Sequence, residues 1–559
     1  MPSPSEPPRR PGVLLAQSDS RADLHAVFLV LALAALLLLP PLGQRVISTS
    51  HEARFAVLAQ DMLRHQAWLE ARVGGEVYRT KPPLFPWSIA ALASLRGRVT
   101  EATAQAPAAL AALSTVLLTF LLGRALFGRR AGLWAGLILV TSYDFFAHSQ
   151  VILPDMLVVV FFAAAASAFW RAASGPPRRG AMAGFYAALA LGVFAKGPVG
   201  LLPLLVAAAW LWSEAGPRGL GRLWSLLGLV LFAAVTLGWL GPFLVHGTRS
   251  FAQSVFWQDW FAWFVGLPFP KHWPAFAVES VLGLMPWTFV LPLALAAAVR
   301  AWRIPSTRFV LLWLAIPFVL IALSNNPRAR YLLPIHPAAA LLIAWWADTQ
   351  GATRTLLGRA LGWASLAGAA GAIALLLRVR LSPGILATAP AWAAPVLILG
   401  VAGVGAALFG GLRAGRPALL VGAVAGCTAV MLAFGMWLYS DWVNRTLDFP
   451  RVAETLARHA GSQAPVAYLT RRFFQVDFYA GRELRQLRTV QEFNAWMARP
   501  ERPVALVNGR NWDFIAPHRS PHLRVLERVP VGEEELLIVS DGRPPGASEG
   551  GAAGVPSGR

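Results

Sequence analysis

The stretch HEARFAVLAQDMLRHQAWLEARVGGEVYRTKPPLFPW, residues 51–87, follows directly on the first long apolar run of the chain, residues 25–43. Of the 559 residues, 56% are hydrophobic and only 14% are charged, and the mean hydropathy is +0.54. Soluble domains carry about 25% charged residues, so the composition indicates an integral membrane protein. The 23 tryptophans suit aromatic belts at the two membrane interfaces. The quoted stretch is therefore expected to emerge beside a membrane.

Composition also argues against several other classes. The net charge of +21 could suggest a nucleic-acid partner, but the arginines are concentrated in short loops between apolar runs, where they set membrane topology. The one cysteine, Cys427, allows no intramolecular disulfide. The first apolar run is followed by polar sequence without an A-x-A site, so it is expected to be a retained anchor and not a cleaved signal peptide.

Length and hydropathy predict about thirteen transmembrane helices, near residues 25–43, 105–123, 131–147, 152–170, 181–195, 198–213, 223–245, 276–299, 308–324, 331–347, 357–377, 386–410 and 417–439. With the tail 1–24 in the cytoplasm, the short arginine-bearing connections all fall on the cytoplasmic side. This requires residues 83–97 to lie flat at the interface as a juxtamembrane helix. The quoted stretch then lies on the outer, periplasmic face.

The chain changes character after the transmembrane domain, which we place at residues 25–439. Residues 440–542 contain the strand-like runs APVAYL, PVALVN and ELLIVS and the helix-like runs RVAETLARHA and VQEFNAWMARP. They predict a small α/β domain on the outer face. The tail 543–559 is rich in Gly, Pro, Ser and Ala and is expected to be disordered. The predicted fold class is an α-helical polytopic membrane protein with a C-terminal α/β periplasmic domain.

The unusual charges fall on the outer side of this topology, at Glu52, Arg54, Lys81, Asp155, Lys196, Arg328 and Arg330. Charges at membrane depth are costly and commonly functional, although each one alone could be an interfacial residue that snorkels to water. Residues 51–64 have helical apolar spacing and predict an amphipathic juxtamembrane helix. His51 and Glu52 are adjacent, so they point about 100° apart. His51 could also be a simple helix-start residue, and Asp155 a helix N-cap.

The cations are presented from stiff segments. Lys81 precedes two prolines, which fix φ and favour an extended residue before them. Lys196 precedes Gly-Pro at a helix break, and Arg328 and Arg330 follow a proline. Lysine and arginine both suit phosphate oxygens. Several cations with few carboxylates are suited to a leaving phosphate, while a carboxylate or histidine could act as general base. No His, Asp or Glu spacing is specific for a metal, so we assign no metal ligand and leave a divalent ion open.

Several motifs together resemble the bacterial GT-C membrane glycosyltransferases related to lipid A aminoarabinose transferase and protein O-mannosyltransferases. The matching pieces, over residues 25–350, are HEARFAVLAQDM, YRTKPPLFPW, GRALFGRRAGLWAG, LPDM, KGPVGLLP, LMPWTFVLP and RARYLLPIHPA. The resemblance implies a sugar donor on polyprenyl (undecaprenyl) phosphate, used at the periplasmic face of the inner membrane.

The resemblance also implies roles for residues. The first periplasmic motif of the family usually reads Asp-Glu-x-Arg-Tyr, and here His51 replaces the leading Asp. His51, Glu52 or Asp155 is then the candidate acid/base, unless the acceptor is already anionic. The residues implied in binding the donor phosphate are Arg54, Lys81, Lys196, Arg328 and Arg330, and those implied in lining the cavity are Tyr78 and Tyr331.

The sequence thus predicts transfer of a sugar to a lipid, such as lipid A, or to another periplasmic acceptor. Protein O-mannosyltransferase-like transfer to protein is an alternative. A polyprenyl-lipid flippase or transporter would show internal repeats and mid-membrane polar residues, and neither is evident. A scaffold role for the outer domain could be added to any of these activities.

Overall fold

The structure is a computed structural model and describes residues 20–69, 72–73, 76–78, 81–174, 179–246, 273–324, 327–349, 356–380, 389–414, 416–461 and 464–541. The tail expected at 543–559 lies outside these residues, as does the tail expected at 1–24 apart from its last five residues.

Helices dominate the membrane part of the described chain. Their bounds are α1 Ser20–Leu38, α2 Ser50–His65, α3 Leu84–Ser94, α4 Glu101–Phe127, α5 Arg129–Val140, α6 Tyr143–Ser149, α7 Asp155–Ala173, α8 Arg179–Lys196, α9 Leu202–Ala215, α10 Leu226–His246, α11 Trp273–Gly283, α12 Leu291–Arg300, α13 Pro305–Ala322, α14 His336–Thr349, α15 Leu356–Arg380, α16 Ala393–Ala414 and α17 Pro417–Thr446. A short hairpin joins β1 Arg72–Val73 to β2 Glu76–Val77.

Within the described residues, eight helical segments are long and apolar enough to cross a membrane. This confirms the predicted polytopic helical class. Other predicted spans are divided: the run 131–147 forms α5 and α6, and the run 276–299 forms α11, a 3₁₀ turn at Trp287–Phe289 and α12. The predicted break at Gly197-Pro198 is present, since α8 ends at Lys196 and Gly197 has a φ of +80°.

The quoted stretch forms two short helices instead of a span. Thr49 caps α2, and its hydroxyl accepts the amide of Glu52. The predicted apolar face of α2 is buried, at Phe55, Leu58 and Met62, but it packs against α3 and the C-terminal domain, so α2 is not simply a helix resting on a membrane. The eleven residues of α3 extend about 16 Å, roughly half the hydrocarbon thickness of a bilayer.

The C-terminal region forms an α/β domain, as predicted. Its elements are α18 Phe449–Ala460, β3 Val466–Leu469, α19 Phe474–Ala480, β4 Arg485–Leu487, α20 Val490–Met497, β5 Val504–Asn508, α21 Gly509–Phe514, β6 Leu523–Val531 and β7 Glu534–Asp541. The sheet order is β4-β3-β5-β7-β6, with β3 parallel to β4 and β5, and β7 antiparallel to β5 and β6. Apolar clusters cover both faces of this sheet.

The domain contacts the membrane part through α19. The side chain of Gln475 donates to the carbonyl of Ser48 over 2.9 Å, and the hydroxyl of Tyr479 accepts the amide of Ile47 over 2.8 Å. Gln60 of α2 donates to the carbonyl of Phe478 over 3.3 Å. These bonds hold α19 alongside α2, so the C-terminal domain and α2 form one packed unit.

Candidate functional site

His51 and Glu52, in the first turn of α2, lie in different surroundings. His51 is exposed, whereas the side chain of Glu52 is only 2% exposed. Adjacent helical residues point about 100° apart, as the sequence led us to expect. The two candidates for acid/base chemistry therefore do not share a site.

Glu52 is held in a buried network. It forms an ion pair with Arg45, whose side chain is 3% exposed, and Arg45 Nη1 donates to Oε2 over 3.2 Å. The Thr49 hydroxyl and the Ile152 amide also donate to this carboxylate, over 3.1 and 3.2 Å. Arg45 in turn donates to the carbonyl of Gln150 over 3.0 Å. Because the carboxylate oxygens already accept several bonds, the geometry favours a structural role for Glu52.

Sequence reasoning missed Arg45. Its only signal was an arginine two residues beyond the first apolar run and seven residues before Glu52. An arginine at that position is expected simply to lie at the membrane interface, at the end of a transmembrane segment.

Asp155 and Lys196 meet where α7 begins and α8 ends. Pro154 occupies the N-cap of α7 and Asp155 is the first helical residue, without a side-chain capping bond. The N-cap interpretation is therefore not what the structure shows. Instead, the Asp155 carboxylate forms an ion pair with Lys196, and the two side chains are 7% and 13% exposed. A lysine buried to this extent is fixed in direction by its counter-ion.

Tyr331 lies between two cations. Its ring centroid is 4.3 Å from Lys196 Nζ and 5.2 Å from Arg330 Cζ. Arg330 Nη2 also lies 3.5 Å from the Tyr331 hydroxyl. Burial would raise the pKa of Tyr331, but the charges of Lys196 and Arg330 outweigh it and lower the pKa below the usual 10.0. The ring thus ties the 3₁₀ segment Ala329–Ile335 to the Asp155–Lys196 pair.

His51 faces the same group of charges. Partial burial lowers its pKa below 6.5, and the nearby charges of Arg54, Arg330 and Arg328 lower it further. His51 is therefore neutral near pH 7. Arg328 and Arg330 thus both contribute positive charge near His51. The structure brings together a basic cluster, which we define as His51, Arg54, Lys196, Arg328 and Arg330.

Two of these arginines have nitrogen atoms without a hydrogen-bond partner. Arg54 Nε and Arg330 Nε are buried and have no acceptor in the described part of the chain. The guanidinium of Arg54 also stacks 5.2 Å from the ring of Phe474 in the C-terminal domain. A buried donor without an acceptor is costly, and an anionic ligand between these residues would satisfy it.

Lys81 and Tyr78 lie at the α2–α3 junction. The Tyr78 ring packs edge-on against Phe55, with centroids 6.4 Å apart, and Phe55 packs in the same way on Phe85 of α3 at 5.3 Å. Lys81 is half-buried three residues before α3. These contacts keep the Lys81 segment against α2.

A large apolar cavity lies on the other side of the α2 start. It has a volume of about 800 Å³. Arg45, Glu52 and Tyr143 line one part of it, and small and aliphatic residues of α15, α16 and α17 line much of the rest. Among the residues that the structure describes, no three His, Cys, Asp or Glu side chains converge as a metal site.

The chain is similar to several known proteins. A family model described as dolichyl-phosphate-mannose-protein mannosyltransferase matches residues 80–241. The undecaprenyl phosphate-alpha-4-amino-4-deoxy-L-arabinose arabinosyl transferase 2 of Pseudomonas fluorescens (strain Pf0-1) is 28% identical over 60% of this chain and 62% of its own length. The corresponding transferase of Shewanella sediminis is 26% identical over 58% of this chain and 60% of its own length. The chain thus matches about three fifths of these relatives.

Solved structures extend the likeness of the fold. ArnT from Cupriavidus metallidurans, bound to undecaprenyl phosphate, aligns with a TM-score of 0.75 and 20% identity over 92% of this chain and 97% of that chain. The oligosaccharyltransferase AglB from Archaeoglobus fulgidus aligns with a TM-score of 0.51 and 11% identity over 84% of this chain and 64% of that chain. The chain therefore has the GT-C glycosyltransferase fold and is related to the arabinosyl transferases, which confirms the resemblance that the sequence motifs indicated.

Proposed function

We propose that this chain is a multi-pass membrane glycosyltransferase that moves a sugar from polyprenyl (undecaprenyl) phosphate to a lipid acceptor of the lipid A type. The proposal places the reaction at the periplasmic face of a bacterial inner membrane. One observation carries it: cations from three segments of the chain lie near His51 and Tyr331, namely Arg54 of α2, Lys196 at the end of α8, and Arg328 and Arg330. The names of the similar transferases, which include an undecaprenyl phosphate-linked sugar, support the choice of donor.

The cluster suits the charge that develops during transfer. When the bond between the anomeric carbon and the donor phosphate oxygen breaks, negative charge grows on the departing phosphate. Arg54, Arg330 and Lys196 are already in place and need no reorganisation to stabilise it. Asp155 and Tyr331 act as positioning residues, because they hold Lys196 and Arg330 and leave the phosphate to the cations. We place Lys81 and Arg328 at the edge of the same site.

His51 is the group that we propose as general base for a hydroxyl acceptor. It is exposed and neutral, so its imidazole nitrogen can accept the proton as the acceptor oxygen attacks the sugar. Glu52 has its oxygens engaged by Arg45 and Ile152, and Asp155 is paired with Lys196. An acceptor that is already anionic would need no base, and His51→Gln would then leave the pH profile unchanged.

The apolar cavity beside Glu52 suits a hydrocarbon chain. Its volume of about 800 Å³ falls in the range of built ligand pockets. A lipid chain held there would bring its polar end toward the start of α2. The polyprenyl donor and a lipid acceptor both carry such a chain, so the product of the assay below decides between a lipid and a protein acceptor.

The test is an assay of transfer with purified full-length chain in lipid vesicles. Labelled polyprenyl-phosphate sugars and a membrane lipid extract are supplied, and mass spectrometry identifies the product. A new glycolipid is the expected result. Movement of polyprenyl phosphate across the vesicle membrane without any product would instead support a flippase, and a glycosylated protein would support the mannosyltransferase alternative.

A matched pair of variants tests the site. Lys81→Ala is expected to reduce transfer at least a hundredfold, in the range measured when one preorganised donor to a transition state is removed. Arg129→Ala removes the same charge from an exposed residue at the start of α5 and is expected to retain wild-type activity. Full activity of Lys81→Ala in correctly folded protein would remove Lys81 from the site.

A further inference from the structure

The C-terminal domain contacts the basic cluster through the aromatic side chain of Phe474. This residue is the first of α19, and Arg54 Cζ lies over its ring, 5.2 Å from the centroid. The ring is half-buried and packs against the apolar core of the membrane part, whereas the apolar clusters on the two faces of the sheet are built from other residues. The domain thus places an uncharged ring directly against an arginine of the proposed site.

A second arginine fixes the ring from within the C-terminal domain. Arg472 Cζ lies 5.2 Å from the centroid of Phe474, and Arg472 Nε donates to Asp477 over 2.7 Å. The side chains of Arg472 and Asp477 are 9% and 1% exposed. Asp477 also accepts the amide of Leu484 over 3.0 Å and the hydroxyl of Tyr468 over 3.2 Å. Because this buried network holds Arg472, the ring lies against a guanidinium that has little freedom to move.

Hydrogen bonds beside the ring hold α19 at the start of α2. The side chain of Gln475, which follows Phe474, donates to the carbonyl of Ser48 over 2.9 Å. The hydroxyl of Ser50, the first residue of α2, donates to the side-chain oxygen of Gln475 over 3.2 Å. Arg54 lies about one turn further along the same helix. The position of the ring relative to Arg54 is therefore set by bonds that join the two helices next to this contact.

The ring directs Arg54 without neutralising its charge. A guanidinium binds anions through its N–H donors, and a contact with the face of a ring does not occupy them. Arg54 Nε is buried and has no acceptor in the described part of the chain. A carboxylate in place of the ring would occupy the donors, as Glu52 does with Arg45, and would compete with a phosphate for the cation. An aromatic ring attracts the cation and leaves its donors to an anionic ligand.

We propose that Phe474 is a positioning residue of the transfer site, whose ring holds the guanidinium of Arg54 in place for the phosphate of a polyprenyl phosphate lipid. The C-terminal domain thereby contributes to the phosphate site through Arg54. That this phosphate is the leaving group of a sugar transfer rests on the proposed function, whereas the holding of Arg54 for a phosphate ligand does not.

The test measures binding of polyprenyl phosphate to the purified full-length chain in detergent, without any sugar donor, and uses the uncharged polyprenol as the reference ligand. Phe474→Leu removes the ring but keeps an apolar side chain. It is expected to weaken binding of polyprenyl phosphate about fivefold, the size of one cation–π contact at a partly exposed site, and to leave polyprenol binding unchanged. Phe474→Tyr keeps the ring and is expected to bind like wild type. The control, Phe514→Leu, makes the same exchange at a ring of this domain that is 83% exposed, and is also expected to bind like wild type.

The double variant Phe474→Leu/Arg54→Gln decides whether the ring acts through the arginine. It is expected to bind polyprenyl phosphate as tightly as Arg54→Gln alone, because the ring has no cation left to direct. A further loss in the double variant, as large as the loss from Phe474→Leu in wild type, would overturn the proposal. An equal loss of polyprenol binding in Phe474→Leu, or an equal loss of polyprenyl phosphate binding in Phe474→Tyr, would overturn it as well.

The outcomes separate this inference from the proposed function. A wild-type chain that shows these effects on binding but transfers no sugar would confirm the role of Phe474 and overturn the proposed function. A wild-type chain that transfers sugar, with Phe474→Leu binding polyprenyl phosphate as tightly as wild type, would confirm the proposed function and overturn the role of Phe474.

Discussion

Replacement of Glu52 by glutamine separates a structural role from a catalytic one. Thr49 and Ile152 donate to different oxygens of Glu52, so glutamine retains an acceptor for only one of them. The larger change is that Arg45 loses its counter-charge. Breaking a buried ion pair costs about 3–5 kcal/mol. Arg45 retains the carbonyls of Gln150 at 3.0 Å and Val46 at 3.3 Å, so we expect the lower end, about 3 kcal/mol.

A second variant removes the unpaired charge. In Arg45→Met/Glu52→Gln the apolar thioether replaces the guanidinium, and we expect a loss of only about 1 kcal/mol, since exchanging a buried pair for neutral groups is often close to neutral. The free energy of unfolding, measured by detergent titration on wild type, both single variants and the double variant, gives the coupling. Arg45→Met alone likewise leaves Glu52 without its counter-charge, so with about 3 kcal/mol lost in each single variant the expected coupling energy is about 5 kcal/mol in magnitude, well above the error of additivity.

Transfer activity measured on the same four proteins completes the test. We expect the double variant to recover activity along with stability, since His51, Lys196 and Arg330 are untouched. The reasoning is refuted if Glu52→Gln is as stable as wild type yet inactive, and if the double variant stays inactive. Glu52 would then act on the substrate itself.

Two further perturbations follow from the same contacts. Asp155→Asn should lower kcat on the order of a hundredfold, because Lys196 loses the carboxylate that fixes its direction. Asp155→Glu should recover part of the rate. An unchanged kcat in Asp155→Asn would contradict the positioning role. Burial, only partly offset by Arg472, raises the pKa of Asp477 from 3.8 to about 6, so the folded chain holds this proton more tightly than the unfolded chain. The free energy of unfolding should therefore fall by up to about 3 kcal/mol as pH rises from about 4 to about 6. Asp477→Asn should abolish this dependence of stability on pH. A pH dependence that survives in Asp477→Asn would show that other groups cause it.

Periodicity and turn chemistry explain why much of the fold was predictable. The helix α2 has a capping threonine, an acidic first turn and apolar residues at helical spacing, and each is a local signal. The strands β3, β5 and β7 are aliphatic runs. By contrast, β6 has exposed charged positions such as Arg524 alternating with apolar ones and pairs only with β7, and β4 has three residues. Neither shows a hydrophobic run long enough to be recognised.

The sequence predicted which charged residues are candidates for the site, but not which of them form ion pairs with each other. Asp155 stood out because it follows Pro154, and Lys196 because it precedes Gly197-Pro198 at a helix break. Their ion pair joins residues 41 positions apart and depends on how α7 packs on α8, which no local pattern specifies. Hydropathy likewise gave no reason to link Arg45 to Glu52, since an arginine after an apolar run usually lies at the membrane interface, where a transmembrane segment ends. The sequence therefore predicted which charged residues are candidates for the site, and helix packing determined which of these charges meet.

The helix α2 connects the basic cluster to the C-terminal domain. Its first turn carries His51 and Arg54 of the basic cluster, and its last turn carries Arg64, which lines a cavity between α2 and the C-terminal domain. Just before α2, the backbone of Ile47 and Ser48 bonds to Tyr479 and Gln475 of α19 in the C-terminal domain. Without this domain that backbone would lose both bonds, and Arg54 would lose the ring of Phe474 that it stacks on. The C-terminal domain is thus part of what fixes the first turn of α2, and a change in how it docks would reach the basic cluster through this helix.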